Sequence, residues 1–382
     1  MTADSKKHNR LLEFIKKETI LTIALLLAAA SMFIVPPSAA YAEYIDWNTL
    51  LLLFCLMAVV SGFQKLGVFS MIGNALLKKI HTSRQLVLIL VFLPFFFSML
   101  ITNDVALITF VPFALIVLRL SGKERLILPV VVLQTLAANL GSMLMPMGNP
   151  QNLYLYALSG ITLTAFIRLM LPLYLVSAVI LFLAALLIKN TPVVIAVANE
   201  APAKLPSTVS LICYSILLIL CILCVLDYFP PLWLTCVICL FLLFCDRGIF
   251  LKVDYSLLAT FIGFFIFIGN ISQIETFQTA LQGVIASHEI LVAILASQII
   301  SNVPAALLLS GFTEQYADLI IGVNLGGLGT LIASMASLIS YKQVAREYPD
   351  KRISYLRLFT IANLIMLGFL YGAVLFLPAN LF

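Results

Sequence analysis

Polar positions are so sparse along this chain that the apolar runs between them read as membrane crossings, not as amphipathic faces. About 20 apolar residues cross the hydrocarbon core as a helix. Runs of that kind fall at roughly 19–35, 46–62, 166–188, 208–226, 229–245, 254–270 and 357–378. Two stretches, roughly 126–159 and 314–341, are too long for one crossing and are interrupted by glycine-rich breaks. Two more, roughly 85–118 and 289–312, carry a polar tip in mid-run. Each half of a tipped stretch is about 14 residues, short for a crossing, so both predict re-entrant hairpins beside about ten full crossings.

Composition fits this pattern. The chain of 382 residues is 63% hydrophobic and 10% charged, against about 45–50% and 25% in soluble domains. No soluble interior can hide that excess, which excludes disorder and an ordinary cytosolic enzyme. The net charge of +5 is too dilute for a nucleic-acid partner; the partner is the lipid bilayer. Cys221-x-x-Cys224 and Cys236-x-x-Cys239 have metal-like spacing, but their apolar setting predicts packed helices and no metal. No cofactor is expected beyond a coupling ion. The three histidines, His8, His81 and His288, fall in flanks or loops, with no nucleophile–base set for an intramembrane hydrolase.

Basic residues set the topology, because short cytoplasmic loops are rich in Lys and Arg. Placing the N-terminus in the cytoplasm of a cell-membrane protein puts Lys65, Arg84, Arg119, Lys123, Arg125, Lys189, Arg247, Lys252, Lys342, Arg346, Lys351 and Arg352 inside. Glu43, Asp46, Asp227, Glu275, Glu289, Glu314 and Asp318 then lie outside, and Arg168 alone breaks the pattern. This holds only if both tipped stretches return to the side they entered from, the first from the cytoplasm and the second from outside. The apolar run after Lys16 and Lys17 predicts a first transmembrane helix, although its order also fits a cleaved signal peptide.

Opposite entry is what an inverted repeat requires. Ser98-Met-Leu-Ile-Thr102-Asn103-Asp104 matches Ser297-Gln-Ile-Ile-Ser301-Asn302-Val303, and Asn139-Leu-Gly-Ser142 matches Asn324-Leu-Gly-Gly327 in the same order. The predicted fold is therefore an all-α polytopic membrane protein of two inverted repeats, each with a re-entrant hairpin and a broken transmembrane helix. Residues 1–45 form a basic flank and first helix, and 46–190 the first repeat. A cytoplasmic linker with a connecting helix takes 191–228, and the second repeat 229–382.

Hairpin tips and helix breaks leave backbone groups unpaired at membrane depth, where each costs several kcal/mol unless protein, water or a ligand meets it. Carbonyls and hydroxyls there can replace the water around a cation, and half-helix N-termini attract an anion. Thr102, Asn103, Ser301 and Asn302 at the tips and Gly148 and Asn149 at the first break are the candidate ligands. Pro150 forces that break by removing a backbone donor. Asp104 is the only acid placed deep in the membrane, and intramembrane acids are functional by default. It is the candidate coupling residue, holding a proton or a sodium ion, with no basic residue nearby in the sequence.

These motifs, with Thr-Asn-Asp leading to Pro112, Gly-Asn-Pro, Ser-Asn-Val-Pro and Asn324-Leu-Gly-Gly-Leu-Gly-Thr-Leu-Ile-Ala-Ser334, resemble the ion transporter superfamily from about residue 46 onward. That group includes citrate-transporter-like proteins, divalent-anion/sodium symporters and arsenite permeases. The resemblance implies that Thr102, Asn103, Asp104, Asn149, Ser301 and Asn302 bind substrate. It also implies one cation site at Ser98, Thr102, Asn103 and Gly148, and another at Ser297, Ser301, Asn302 and Ala333. Asp104 and Val303-Pro304 replace the dicarboxylate carriers' threonines and look more like the arsenite permeases. The expected function is an ion-coupled secondary transporter of a small anion, a di- or tricarboxylate or an oxyanion, driven by sodium or protons. Arsenite or antimonite efflux, sodium/proton exchange and a non-transporting membrane receptor are the alternatives, and a homodimer is left open.

Overall fold

The computed structural model describes residues 18–77, 80–193, 207–286 and 288–376. The basic flank before Glu18, with Lys16 and Lys17, and much of the predicted linker lie outside them. Among the described residues the backbone is helical, and the only extended pairing is an isolated bridge between Thr82 and Pro192.

The first part of the chain forms α1 (Thr19–Ser31), α2 (Trp47–Lys65), α3 (Val68–Leu77), α4 (Ser83–Ile101) and α5 (Asn103–Leu120). It continues through α6 (Ile127–Ser142), α7 (Pro150–Ser159) and α8 (Leu163–Leu186). After the linker come α9 (Thr208–Val225), α10 (Pro231–Cys245), α11 (Tyr255–Ile271) and α12 (Glu275–Ile285). The last part holds α13 (Glu289–Ile300), α14 (Asn302–Ser310), α15 (Tyr316–Gly326), α16 (Met335–Glu347) and α17 (Arg352–Phe376). Helix starts are fixed by short polar side chains that accept a first-turn amide. Asp46 takes Thr49 N at 3.0 Å, Thr162 takes Ala165 N at 3.2 Å and Asp254 takes Leu257 N at 3.0 Å.

Among the described residues, seven helices are long and apolar enough to cross a membrane: α2, α4, α5, α8, α9, and α6 and α17 with their leading turns. Helices α1, α3, α10, α11, α13 and α15 are apolar but shorter. One expectation needs correcting. The arms of the first tipped stretch have 19 and 18 residues, not short halves, and each meets the length for a crossing. Those of the second have 12 and 9. Hydropathy locates the apolar run but not the residue at which it turns.

Both tipped stretches fold back on themselves. Phe97 before the first tip and Phe110 after it stand 5.5 Å apart, ring to ring. The Thr191 hydroxyl meets Ser83 Oγ at 3.2 Å and receives Lys123 Nζ at 2.9 Å, so the arms of this hairpin begin and end together. In the second hairpin, Thr313 beyond α14 donates to Glu289 at the start of α13 at 3.4 Å. Several loops predicted to share the cytoplasmic side do meet at one end of the bundle. Arg84 Nε donates to Ile188 O at 3.1 Å, and Arg119 pairs with Glu347 while donating to the Tyr348 hydroxyl at 2.6 Å.

The two interrupted helices exchange partners. Past the first break, α7 packs on α14 and α15 of the second half. Past the second, α16 packs on α5 and α6 of the first.

Candidate functional site

Each hairpin turns on a single residue. Thr102 has φ 69° and ψ 150°, and Ser301 has φ 74° and ψ 154°. Side-chain-bearing residues avoid this region at a cost of about 1–3 kcal/mol. The turn starts α5 and α14 immediately beyond it, so helix N-termini lie at both tips.

Behind the tips, α6 stops at Ser142 and α15 at Gly326, and the chain leaves the α-helix over 143–149, with a 3-10 turn at Pro146–Gly148, and over 327–334 before α7 and α16 begin. Close packing holds both stops. A Cβ on Gly141 would stand 1.9 Å from the Phe95 carbonyl oxygen, and one on Gly326 would stand 2.4 Å from Ser297 Oγ. The Ser98 and Ser297 hydroxyls turn back to their own helices, donating to Phe95 O at 3.1 Å and Ala293 O at 2.7 Å.

Two asparagines then tie the halves together. Asn139 Oδ1 accepts from Ser334 Oγ at 3.1 Å, and its Nδ2 donates to Ser337 Oγ at 3.4 Å. Asn324 Oδ1 accepts from Asn149 Nδ2 at 3.3 Å, and its Nδ2 donates to Asn152 Oδ1 at 2.6 Å. In both cases the partners lie ten and thirteen positions after the matching asparagine of the other half. Asn139 also receives Asn103 Nδ2 at 3.0 Å, which joins the first tip to this network.

The tips differ in what they face. At the second, Asn302 N and Ser301 Oγ donate to Ala333 O at 3.0 and 3.4 Å. At the first, Asn103 Oδ1 accepts from Asp104 N at 3.0 Å, and Thr102 and Asp104 border a cavity of about 180 Å³. Its walls come from α2 (Ser61, Gln64), the first break (Asn149, Pro150), the turn before α11 (Lys252, Asp254) and α16 (Met335, Ile339). Asp254, Leu257, Met335 and Ile339 also border a larger apolar chamber of about 450 Å³ that reaches Val303 and Pro304 at the second tip.

Of the residues singled out from the sequence, the structure gathers Thr102, Asp104 and Asn149 on one cavity, with Asn103 buried directly behind. Gly148 is buried against Ser142, where a Cβ would meet that carbonyl at 2.0 Å. Ser301, Asn302 and Ala333 meet one another but do not border the Asp104 cavity. Ser61, Gln64, Lys252 and Asp254 were not foreseen. Lys252 puts a cation on the cavity wall that Asp104 shares, although 148 positions separate them in the chain.

Known proteins resemble this chain over most of its length. A family model described as citrate transporter matches residues 12–318. The inner membrane protein YbiR of Escherichia coli is 31% identical over 356 residues, covering 92% of this chain and 93% of that protein. An uncharacterized transporter of Methanocaldococcus jannaschii is 34% identical over 306 residues, covering 78% and 81%. A Dictyostelium discoideum protein named as the transporter arsB is 23% identical over 124 residues, 32% of this chain and 22% of its own length.

Proposed function

The chain belongs to the citrate transporter family, and from that premise we propose that this multi-pass secondary transporter carries a small carboxylate or oxyanion with sodium or protons. The observation that carries the reading is Asp104 on a cavity where the first tip, the first break, α2 and α16 come together. A site built from both halves is one that rocking of the halves could expose to either side in turn. The matched hairpins and the reciprocal asparagine bonds support an inverted repeat with one hairpin in each half. The cluster of Arg84, Lys123, Arg119 and Lys351 loops supports a cytoplasmic opening for the first hairpin.

Charge narrows the substrate. Asp104 and Asp254 face the cavity against a single cation, Lys252. An anion entering such a space is repelled until a cation neutralises a carboxylate, so the cation must load with it. The same excess of negative charge favours one second reading, arsenite or antimonite efflux or sodium/proton exchange, in which no anion of high charge enters.

Flux decides between these. Protein reconstituted into proteoliposomes should take up citrate, succinate or sulfate only under an imposed sodium or proton gradient. Arsenite flux, or sodium/proton exchange without any of these solutes, supports the second reading. Binding of a solute without flux under either gradient overturns transport in favour of a receptor.

A further inference from the structure

The two helix breaks are related by sequence but filled differently: Asn152 Nδ2 donates to Met143 O at 3.4 Å in the first, whereas a glutamine of the hairpin arm enters the second. Gln298 follows Ser297 on α13, and its amide nitrogen lies 3.1 Å from Ile294 O, 3.0 Å from Gly326 O and 2.9 Å from Leu328 O. Its Oε1 accepts Thr330 N at 2.8 Å, while the Thr330 hydroxyl donates to Gln298 O at 3.3 Å. Gly329, at φ 107°, lets the chain wrap this amide, since a Cβ there would stand 2.3 Å from Oε1. Three carbonyls converging on one point are what a dehydrated cation needs. Here an NH₂ group, a donor with no acceptor capacity, fills that point.

The Ala333 carbonyl and the Ser297 hydroxyl are also engaged. Ala333 O takes both Asn302 N and Ser301 Oγ, and Ser297 Oγ is spent on Ala293 O. At the first tip Ser98 Oγ is likewise spent on Phe95 O, but the other contacts differ. The position matching Gln298 is Met99, which carries no amide. No bond runs from Asn103 N to the Gly148 carbonyl, and Thr102 and Asp104 border an open cavity instead.

We propose that the Gln298 amide takes the place of a cation at the second break, so that this transporter couples through one cation only, at the first tip. Gln298 is thus a positioning residue that fixes the stoichiometry. The proposal rests on the ion-coupled reading above and sharpens it, because it removes Ser297, Ser301, Asn302 and Ala333 from the set of cation ligands.

Sodium binding to the purified full-length protein tests it, with sodium-22 in equilibrium dialysis and choline chloride holding ionic strength. The wild type should bind one sodium per chain, lost in Asp104→Asn and kept in Ser301→Ala. Gln298→Glu keeps the acceptor for Thr330 N but turns a carboxylate toward the Gly326 and Leu328 carbonyls. It should bind one sodium more than the wild type and gain a sodium-dependent rise in melting temperature. If Gln298→Glu does not fold, Gln298→Ala, which exposes the same carbonyls, should bind the extra ion. Two sodium ions on the wild type, one of them lost in Ser301→Ala, would overturn the proposal, as would a folded variant at position 298 with no gain. A wild type that binds no sodium removes sodium from the proposed function, while the gain at position 298 still judges the role of Gln298.

Discussion

Asn139 and Asn324 make the same two hydrogen bonds, each into the opposite half: the side-chain oxygen accepts from a residue at a helix start and the nitrogen donates three positions further on. Both asparagines are buried, and a buried polar group that loses its partner costs about 1–3 kcal/mol. Asn139→Ala and Asn324→Ala should each lower the melting temperature of the purified protein by several degrees. Because Asn139 also holds the first tip through Asn103, its substitution should cost transport more than that of Asn324. Equal stability to wild type in both variants would contradict a structural tie between the halves.

Strain at the first tip predicts an unusual split between stability and activity. Thr102 is β-branched and sits at φ 69°, a conformation that glycine adopts freely. Relief of about 1–3 kcal/mol of strain offsets the extra flexibility of glycine in the unfolded chain. Thr102→Gly should therefore melt at or above the wild-type temperature, yet lose at least about ten-fold in uptake because the hydroxyl on the cavity is gone, about 1.4 kcal/mol of binding or more. Thr102→Ala, which keeps the strain and loses the hydroxyl, is the control. Should Thr102→Gly transport normally, the hydroxyl is no ligand.

The matched glycines at the helix stops are not equally replaceable. In Gly141→Ala the new carbon meets a backbone carbonyl at 1.9 Å, whereas in Gly326→Ala the nearest atom, at 2.4 Å, belongs to the Ser297 side chain. Turning Ser297 moves its Oγ away and leaves its Cβ at 2.7 Å to be relieved, whereas the backbone of α4 cannot turn at all. Overpacking costs about 1–3 kcal/mol and more where nothing yields. Gly141→Ala should yield markedly less folded protein than Gly326→Ala in size-exclusion chromatography, and the reverse order would show that the two stops are packed differently.

Much of this arrangement is written in short motifs. Ser-x-x-x-Thr/Ser-Asn and Asn-Leu-Gly locate both tips and both helix stops, because a turn in lipid needs polar groups wherever its backbone is unpaired. The partners of Asn139 and Asn324 are harder to see, since Asn149 and Asn152 answer to Ser334 and Ser337. What the halves share there is the capacity to donate or accept, not residue identity. Gln298 passes as one polar residue inside an apolar arm until its three carbonyls are placed around it. Lys252 and Asp254 read as loop residues, and only the packing of α11 and the turn before it against α2 carries them to the cavity of Asp104. The arm lengths of the first hairpin escape for a related reason: apolar composition is continuous across the point where Thr102 turns the chain.

Topology is open to direct labelling. In a background with the native cysteines replaced, Ser121→Cys should react with an impermeant maleimide from the cytoplasmic face and Gln315→Cys from the outer face. Both positions follow the return of a hairpin to the side it entered from. Reaction of both from one face would sink the inverted-repeat reading, whatever the substrate proves to be.

Asp104 is where ion coupling is tested most sharply. Its backbone amide is held by the Asn103 side chain at 3.0 Å, so the tip does not depend on the carboxylate for its shape. Among the described residues no ion pair holds that carboxylate, and Lys252 and Asp254 are the other charged groups on its cavity. Asp104→Asn keeps the size of the side chain and removes one negative charge. The cavity then carries one acid and one base, and no longer needs a cation before an anion can enter. The variant should fold with a melting temperature near that of the wild type. It should lose the dependence of transport on the sodium or proton gradient, with concentrative uptake falling at least about ten-fold, or 1.4 kcal/mol, while gradient-free exchange of substrate survives. A purely structural aspartate predicts the opposite, because the amide isostere would serve as well. If Asp104→Asn concentrates substrate at a near-normal rate and still follows the ion gradient, the coupling role passes to another group, and Asp254 on the same cavity is the next to substitute.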